Sequence, residues 1–115
     1  MGLFSRRKRV PDSAAQPSAR AAQQATVAHL SEFARTRVGV EAYVEPATHV
    51  TQTTVMLVAT DGEWTRRKVP DARAAHELAR ELGIPGYDVQ RTGYPQRVRD
   101  YTARQRAARR GTAGG

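Results

Sequence analysis

Apolar residues recur along this chain with more than one period. Val27, Leu30, Ala34 and Val38 stand three or four positions apart, with Phe33 beside them and Gln23, Gln24, Ser31, Glu32 and Arg35 left for water. That spacing predicts an amphipathic helix starting near Arg20, and Gly39 is its expected stop. The period then falls to two: Val40, Ala42 and Val44 alternate with Glu41, Tyr43 and Glu45. This predicts a strand with one buried face, ended by Pro46. Residues 51–60 carry the run Thr53-Thr54-Val55-Met56-Leu57-Val58 without alternation, as expected of a mid-sheet strand covered on both faces. Asp61-Gly62 is expected to supply the positive φ angles of a tight hairpin, with residues 63–69 returning antiparallel.

After Pro70, Asp71 reads as the N-cap of a second helix with the stripe Ala75, Leu78, Ala79 and Leu82. Gly83 is placed for a left-handed C-cap, and Pro85 bars the helix from resuming. Residues 87–90 suit a short extra strand, and Gly93-Tyr94-Pro95 breaks the chain again. From Pro95 a helical pattern sets Val98, Tyr101, Gln105 and Ala108 on one side and arginines over much of the remainder. The predicted class is α+β: helix, three-stranded antiparallel sheet, helix, short extra strand and C-terminal basic helix. Residues 1–19 are expected to form a disordered basic leader, since nothing large and apolar follows Val10 before the first helix. The α+β domain then covers 20–92, a basic helix-capable segment 93–110, and a disordered tail 111–115.

Charge divides this picture unevenly. Of a formal net +8, residues 1–9 supply four cations (Arg6, Arg7, Lys8, Arg9) and no acid, and residues 91–115 supply seven arginines against Asp100 alone. Residues 10–90 hold eight basic and ten acidic residues, so the excess belongs to the two ends. Polyanions are the partners such ends attract. The absence of cysteine excludes disulfides, thiolate metal sites and a cysteine nucleophile. The longest unbroken apolar run, residues 55–59, is far short of the roughly 20 residues of a bilayer-spanning helix. Neither a secretory signal nor a myristoylation motif is present, and cytoplasmic residence is the expectation.

Catalytic patterns do not emerge. His29, His49 and His76 stand apart, His76-Glu77 lacks the second histidine of a zinc motif because position 80 is Arg80, and Gly83-Ile84-Pro85-Gly86 follows a helix where a phosphate loop needs a strand. No cofactor, small-molecule ligand or metal is inferred, and the expectation is a protein that is not an enzyme.

Two segments join aromatic rings to cations. In Trp64-Thr65-Arg66-Arg67-Lys68, strand alternation puts Trp64, Arg66 and Lys68 on one face and Arg67 on the other, so a base or phosphodiester could meet a ring and two cations. The same residues also suit a core tryptophan beside an edge strand that its charges protect. Near the C-terminus, Tyr94, Arg97, Arg99, Tyr101, Arg104 and Arg106 combine rings with guanidinium groups, which fork onto phosphate and stack on bases. A solvated helix docked through Val98 and Tyr101 is the alternative there. Leu3 and Phe4 beside Arg6, Arg7, Lys8 and Arg9 also admit contact with an anionic membrane surface.

The order helix, three strands, helix over about residues 20–82 resembles the double-stranded-RNA-binding domain. That family opens its second helix with a lysine-rich cluster, where this chain has Asp71-Ala72-Arg73-Ala74-Ala75. Asp61-Gly62-Glu63-Trp64 through Gly83-Ile84-Pro85, continuing to Gly93-Tyr94-Pro95-Gln96-Arg97-Val98-Arg99-Asp100-Tyr101, is similar to small Arg/Ala-rich proteins of high-GC actinobacteria. This resemblance implies a cytoplasmic housekeeping or accessory protein and no assigned site. The expected function is a non-enzymatic RNA- or DNA-binding or ribosome-associated accessory protein with basic ends on a phosphate backbone. The alternative is a protein-interaction module, dimeric in one version, whose tails recruit acidic partners or a membrane surface.

Overall fold

The computed structural model describes residues 18–114. The expected leader, with Arg6, Arg7, Lys8 and Arg9, lies outside them but for its last two residues. The elements run α1 (Ala19–Thr36), β1 (Glu41–Glu45), β2 (Thr54–Val58), β3 (Trp64–Lys68), α2 (Ala72–Glu81), β4 (Gly86–Asp88), α3 (Val89–Thr92) and α4 (Gln96–Gly114). The class is α+β, built on one four-stranded sheet in the order β3-β2-β1-β4. β2 pairs antiparallel with both β1 and β3, and β4 adds itself parallel to β1.

Local chemistry accounts for the boundaries. Ser18 caps α1 by accepting from the Ala21 N–H at 3.0 Å, and Asp71 caps α2 by accepting from Ala74 N–H at 2.8 Å. α2 closes in a Schellman motif: Gly83 N–H donates to the Arg80 carbonyl, Ile84 N–H donates to the Ala79 carbonyl, and Gly83 takes φ +72°. α1 stops at Thr36, with Arg37 as its C-cap, before it reaches the stop expected at Gly39. Gly39, at φ +63°, is required for another reason: a Cβ there would run into the Thr60 hydroxyl. Thr60 fastens this turn by donating both its N–H and its Oγ1 to the Val38 carbonyl, each at 2.9 Å. The hairpin also departs from expectation, because Gly62 alone takes positive φ (+94°). Its loop is three residues long, closed by Ala59 N–H on the Glu63 carbonyl, and Asp61 stays in ordinary backbone space by accepting from Glu63 N–H.

Alternation along the strands divides the core in two. On one face Ala42, Val44, Val55 and Leu57 pack against Leu30 and Phe33 of α1 and Ala75, Leu78 and Ala79 of α2. The other face carries Tyr43, Met56 and Val58, with Trp64 and Tyr87 at its margins, closed by Val98 of α4. The period-two pattern of β1 predicts one buried face; the strand buries both, because the chain after β4 returns across the sheet. Residues 93–102 are thus part of the packed body, and α4 continues past position 110 to Gly114, since extending an established helix requires no new nucleus.

Candidate functional site

The second face holds the most enclosed charges among the described residues. Glu45, only 9 % exposed, accepts from Thr54 Oγ1 at 2.6 Å, from Arg66 Nε and Nη2 at 2.8 Å each, and from the Tyr94 hydroxyl at 2.5 Å. Four residues along β1, Glu41 accepts from Arg97 Nη2 at 2.6 Å and from the Tyr43 hydroxyl at 2.8 Å. Burial pushes the Glu45 carboxyl up, but donation from Arg66, Thr54 and Tyr94 outweighs it and holds the group below its ordinary value. Glu41 is likewise raised by burial and lowered further by Arg97 and Tyr43. Tyr43 moves the opposite way: burial and the accepting Glu41 push its phenol up to about 12. The arrangement binds carboxylates to arginines and leaves neither carboxylate poised to move a proton near neutrality.

This changes the standing of several residues the sequence nominates. Arg66 and Arg97 are paired with Glu45 and Glu41, from the partly exposed margin of the second face. Trp64 donates its indole N–H to Thr102 Oγ1 at 3.3 Å, and the Arg66 guanidinium lies 5.1 Å from its ring centroid, so the ring already has a cation over it. Tyr101 is half-buried, with the Arg104 guanidinium 5.8 Å from its ring. Arg104 also donates to the Asp61 carbonyl at 2.8 Å, and Arg97 donates to the Ala59 carbonyl at 3.0 Å, so both pin α4 to the hairpin. Gly62 makes that approach possible: a Cβ would strike the Arg97 carbonyl and the Tyr101 side chain.

The other arginines of α4 turn away. At about 100° per residue, Arg99, Arg106 and Arg110 fall within roughly 40° of one another, opposite Arg97 and Arg104. All three are exposed, Arg99 bonding only to Gln96 of its own helix among the described residues, and Arg109 is exposed beside this stripe. No acidic residue follows Asp100 in the sequence. The outer side of α4 is therefore a row of guanidinium groups on a helix anchored as far as Arg104 and exposed all round beyond it.

A second basic surface lies along β3, an edge strand of the sheet. Glu63 and Val69 direct backbone groups at β2, so by alternation those of Trp64, Arg66 and Lys68 face the open edge. The Arg66 carbonyl is covered by Arg67 Nη1 at 2.8 Å, a cation guarding its own edge. Beside this edge an open groove of about 780 Å³ runs between Arg66, Arg67 and Lys68 on one wall and Ala19, Ala22, Gln23 and Thr26 of α1 on the other. The groove and the cluster around Glu45 are not legible in the single sequence. Their one available signal is charge matching between strands: Glu41 and Glu45 stand on β1, and the cations that meet them stand on β3 and α4.

The histidines are scattered. His29 shares a 2.7 Å hydrogen bond with Thr65 Oγ1, and burial, then Arg67 and Arg37, lowers its pKa. His76 lies beside Gly86, and His49 is exposed in the β1–β2 loop. Among the described residues no three His, Asp or Glu side chains gather as metal ligands, and no helix is long and apolar enough to cross a membrane. Compared with known proteins, the chain matches no family model, no curated protein and no solved structure.

Proposed function

We propose that this is a non-enzymatic accessory protein that binds nucleic acid, free or within a particle such as the ribosome, through the phosphate backbone on the outward face of α4. The observation that carries the proposal is the stripe Arg99, Arg106 and Arg110, exposed along one side of a helix that is fixed to the body through Arg97, Val98 and Arg104 and projects beyond them. A helix fixed at its base holds its guanidinium groups in register, so gripping phosphate costs less chain freedom than it would on an unstructured tail. Base stacking is not part of the reading, because Trp64 and Tyr101 each already lie against an arginine and the Tyr94 hydroxyl is held by Glu45. The opening of α2 does not contribute either, as the Asp71 carboxylate occupies it.

Fluorescence anisotropy with labelled duplexes of unrelated sequence provides the test. Affinity is expected to vary little with sequence and to fall steeply with salt. The variant R99A/R106A/R110A is expected to lower the slope of log K against log[salt] by about 2.7, or about 0.9 for each phosphate of a B-form duplex left without its arginine. Its thermal melt should match the parent's, since none of the three touches the core. An unchanged slope would remove α4 from the account.

A further inference from the structure

We infer that the open edge of β3 is a strand-docking site, which takes an extended acidic segment of a partner protein as one more strand of the sheet. It concerns none of the α4 residues proposed above to bind nucleic acid. The backbone supplies the first part. Ala59 N–H donates to the Glu63 carbonyl and Val69 N–H to the Thr53 carbonyl, and the register between β2 and β3 puts Thr65 and Arg67 in the same inward set. The N–H groups of Trp64, Arg66 and Lys68 therefore point away from the sheet, and they bond to nothing among the described residues. This open stretch has definite ends. Trp64 is tied to Thr102 of α4 through its indole, while past Lys68 the Val69 N–H returns to β2 and Pro70 has no N–H to offer. Between those ends lies about 13 Å of ladder edge.

The flanks decide what occupies it. The edge offers the Trp64 and Lys68 carbonyls as well as its N–H groups, at strand spacing; a phosphodiester only accepts and cannot meet them, whereas another strand meets both. Across the groove of about 780 Å³ stand Ala19, Ala22 and Thr26 of α1, small side chains against which the apolar residues of a peptide can pack. The charge along the edge has one sign. Arg67 and Lys68 are exposed, no Asp or Glu lines the groove, and neither cation has a carboxylate partner among the described residues. The Arg67 guanidinium rests on the Arg66 carbonyl at 2.8 Å, and an arriving strand that carries a carboxylate gives it a charged acceptor in exchange. Arg66 stays with Glu45. A second copy pairing through β3 would set cation against cation, which cross-strand neighbours oppose, so the partner strand is acidic. Alternation sorts such a strand: glutamates on the side of Lys68 leave the intervening apolar residues toward α1.

The probe is a labelled octapeptide alternating valine and glutamate, added to the full chain at low salt. With it bound, the Arg66 and Lys68 N–H groups are expected to exchange with water at least about tenfold more slowly by NMR, and R67A/K68A, which spares the core, is expected to weaken binding about tenfold in fluorescence anisotropy. Two further peptides carry methyl groups on the glutamate or on the valine nitrogens. Their charge is the same, but only one keeps its β3-facing edge intact, so their affinities are expected to differ by about tenfold or more. Equal affinities, or unchanged exchange at Arg66 and Lys68, reduce the contact to charge attraction and overturn the inference, as does failure of the parent to bind the octapeptide. Exchange already slow in the free protein that quickens on dilution places a second copy on the edge and overturns it too. A duplex that slows the same two N–H groups and displaces the peptide at lower concentration assigns the edge to nucleic acid instead. The α4 function is tested separately by R99A/R106A/R110A, which is expected to bind the octapeptide like the parent.

Discussion

Glu45 concentrates the energetics of the second face in one side chain. A carboxylate this enclosed is tolerated because three side chains donate to it, and removing it would leave the Arg66 guanidinium and the Tyr94 hydroxyl without their acceptor. Arg66 is partly exposed and can turn to water, which limits the cost: Glu45→Ala is expected to destabilise by about 2 kcal/mol in urea denaturation. The pH dependence follows from the same bonds. Both Glu45 and Glu41 have folded pKa values below their ordinary ones, so their stabilisation is complete above the unfolded carboxyl value of about 4.3 and is lost as pH falls through the lower folded values. The melting temperature should therefore drop as pH falls below about 4.3, and Glu45→Gln should flatten that decline. An equally steep decline in the variant would place the acid sensitivity elsewhere. At the alkaline end the sign reverses: Tyr43, raised to about 12, favours the folded state until its phenol ionises.

At the scale of elements, what was legible was whatever depends on neighbours in sequence. The stripe of α2, its Asp71 and Gly83 caps and the antiparallel β2–β3 pairing all follow from residues a few positions apart. The exceptions have long-range causes. Gly39 looks like a helix stop and is a steric concession to Thr60; β1 looks half-exposed because its cover arrives about fifty residues later. The basic C-terminal segment reads as a helix that offers its arginines to phosphate, or docks through Val98 and Tyr101, yet two of those arginines, Arg97 and Arg104, are the bolts that hold it down. Which cations bond inward and which stay outward depends on helical phase relative to the sheet, a quantity fixed only by the docked structure. Gly62 gives the sharpest check on that docking. Gly62→Ala adds left-handed strain of about 1–2 kcal/mol to a collision with the Arg97 backbone, which cannot swing aside as a side chain could. Trp64, the only tryptophan, should report α4 leaving through a red-shifted emission. A variant with unchanged emission and stability would show that the approach tolerates a methyl group.

For the whole molecule, the sheet is a partition between two cores of unequal security. The α1/α2 side is closed by two helices, whereas the Tyr43/Met56/Val58 side relies on Val98 and a few polar bonds. Truncation after Pro95 is accordingly expected to bind a hydrophobic dye and lower the melting temperature while the far-UV signature of the sheet persists. A truncated chain that melts like the parent would contradict that division. The same asymmetry bears on how the protein is made. Synthesis runs from the N-terminus, and every strand precedes Val98 in the sequence, so the sheet can assemble with its second face bare until α4 has been translated. During that interval Met56, Val58 and Trp64 form an open apolar surface on a nascent chain, and the arginines that later fasten the helix are what bring the interval to an end.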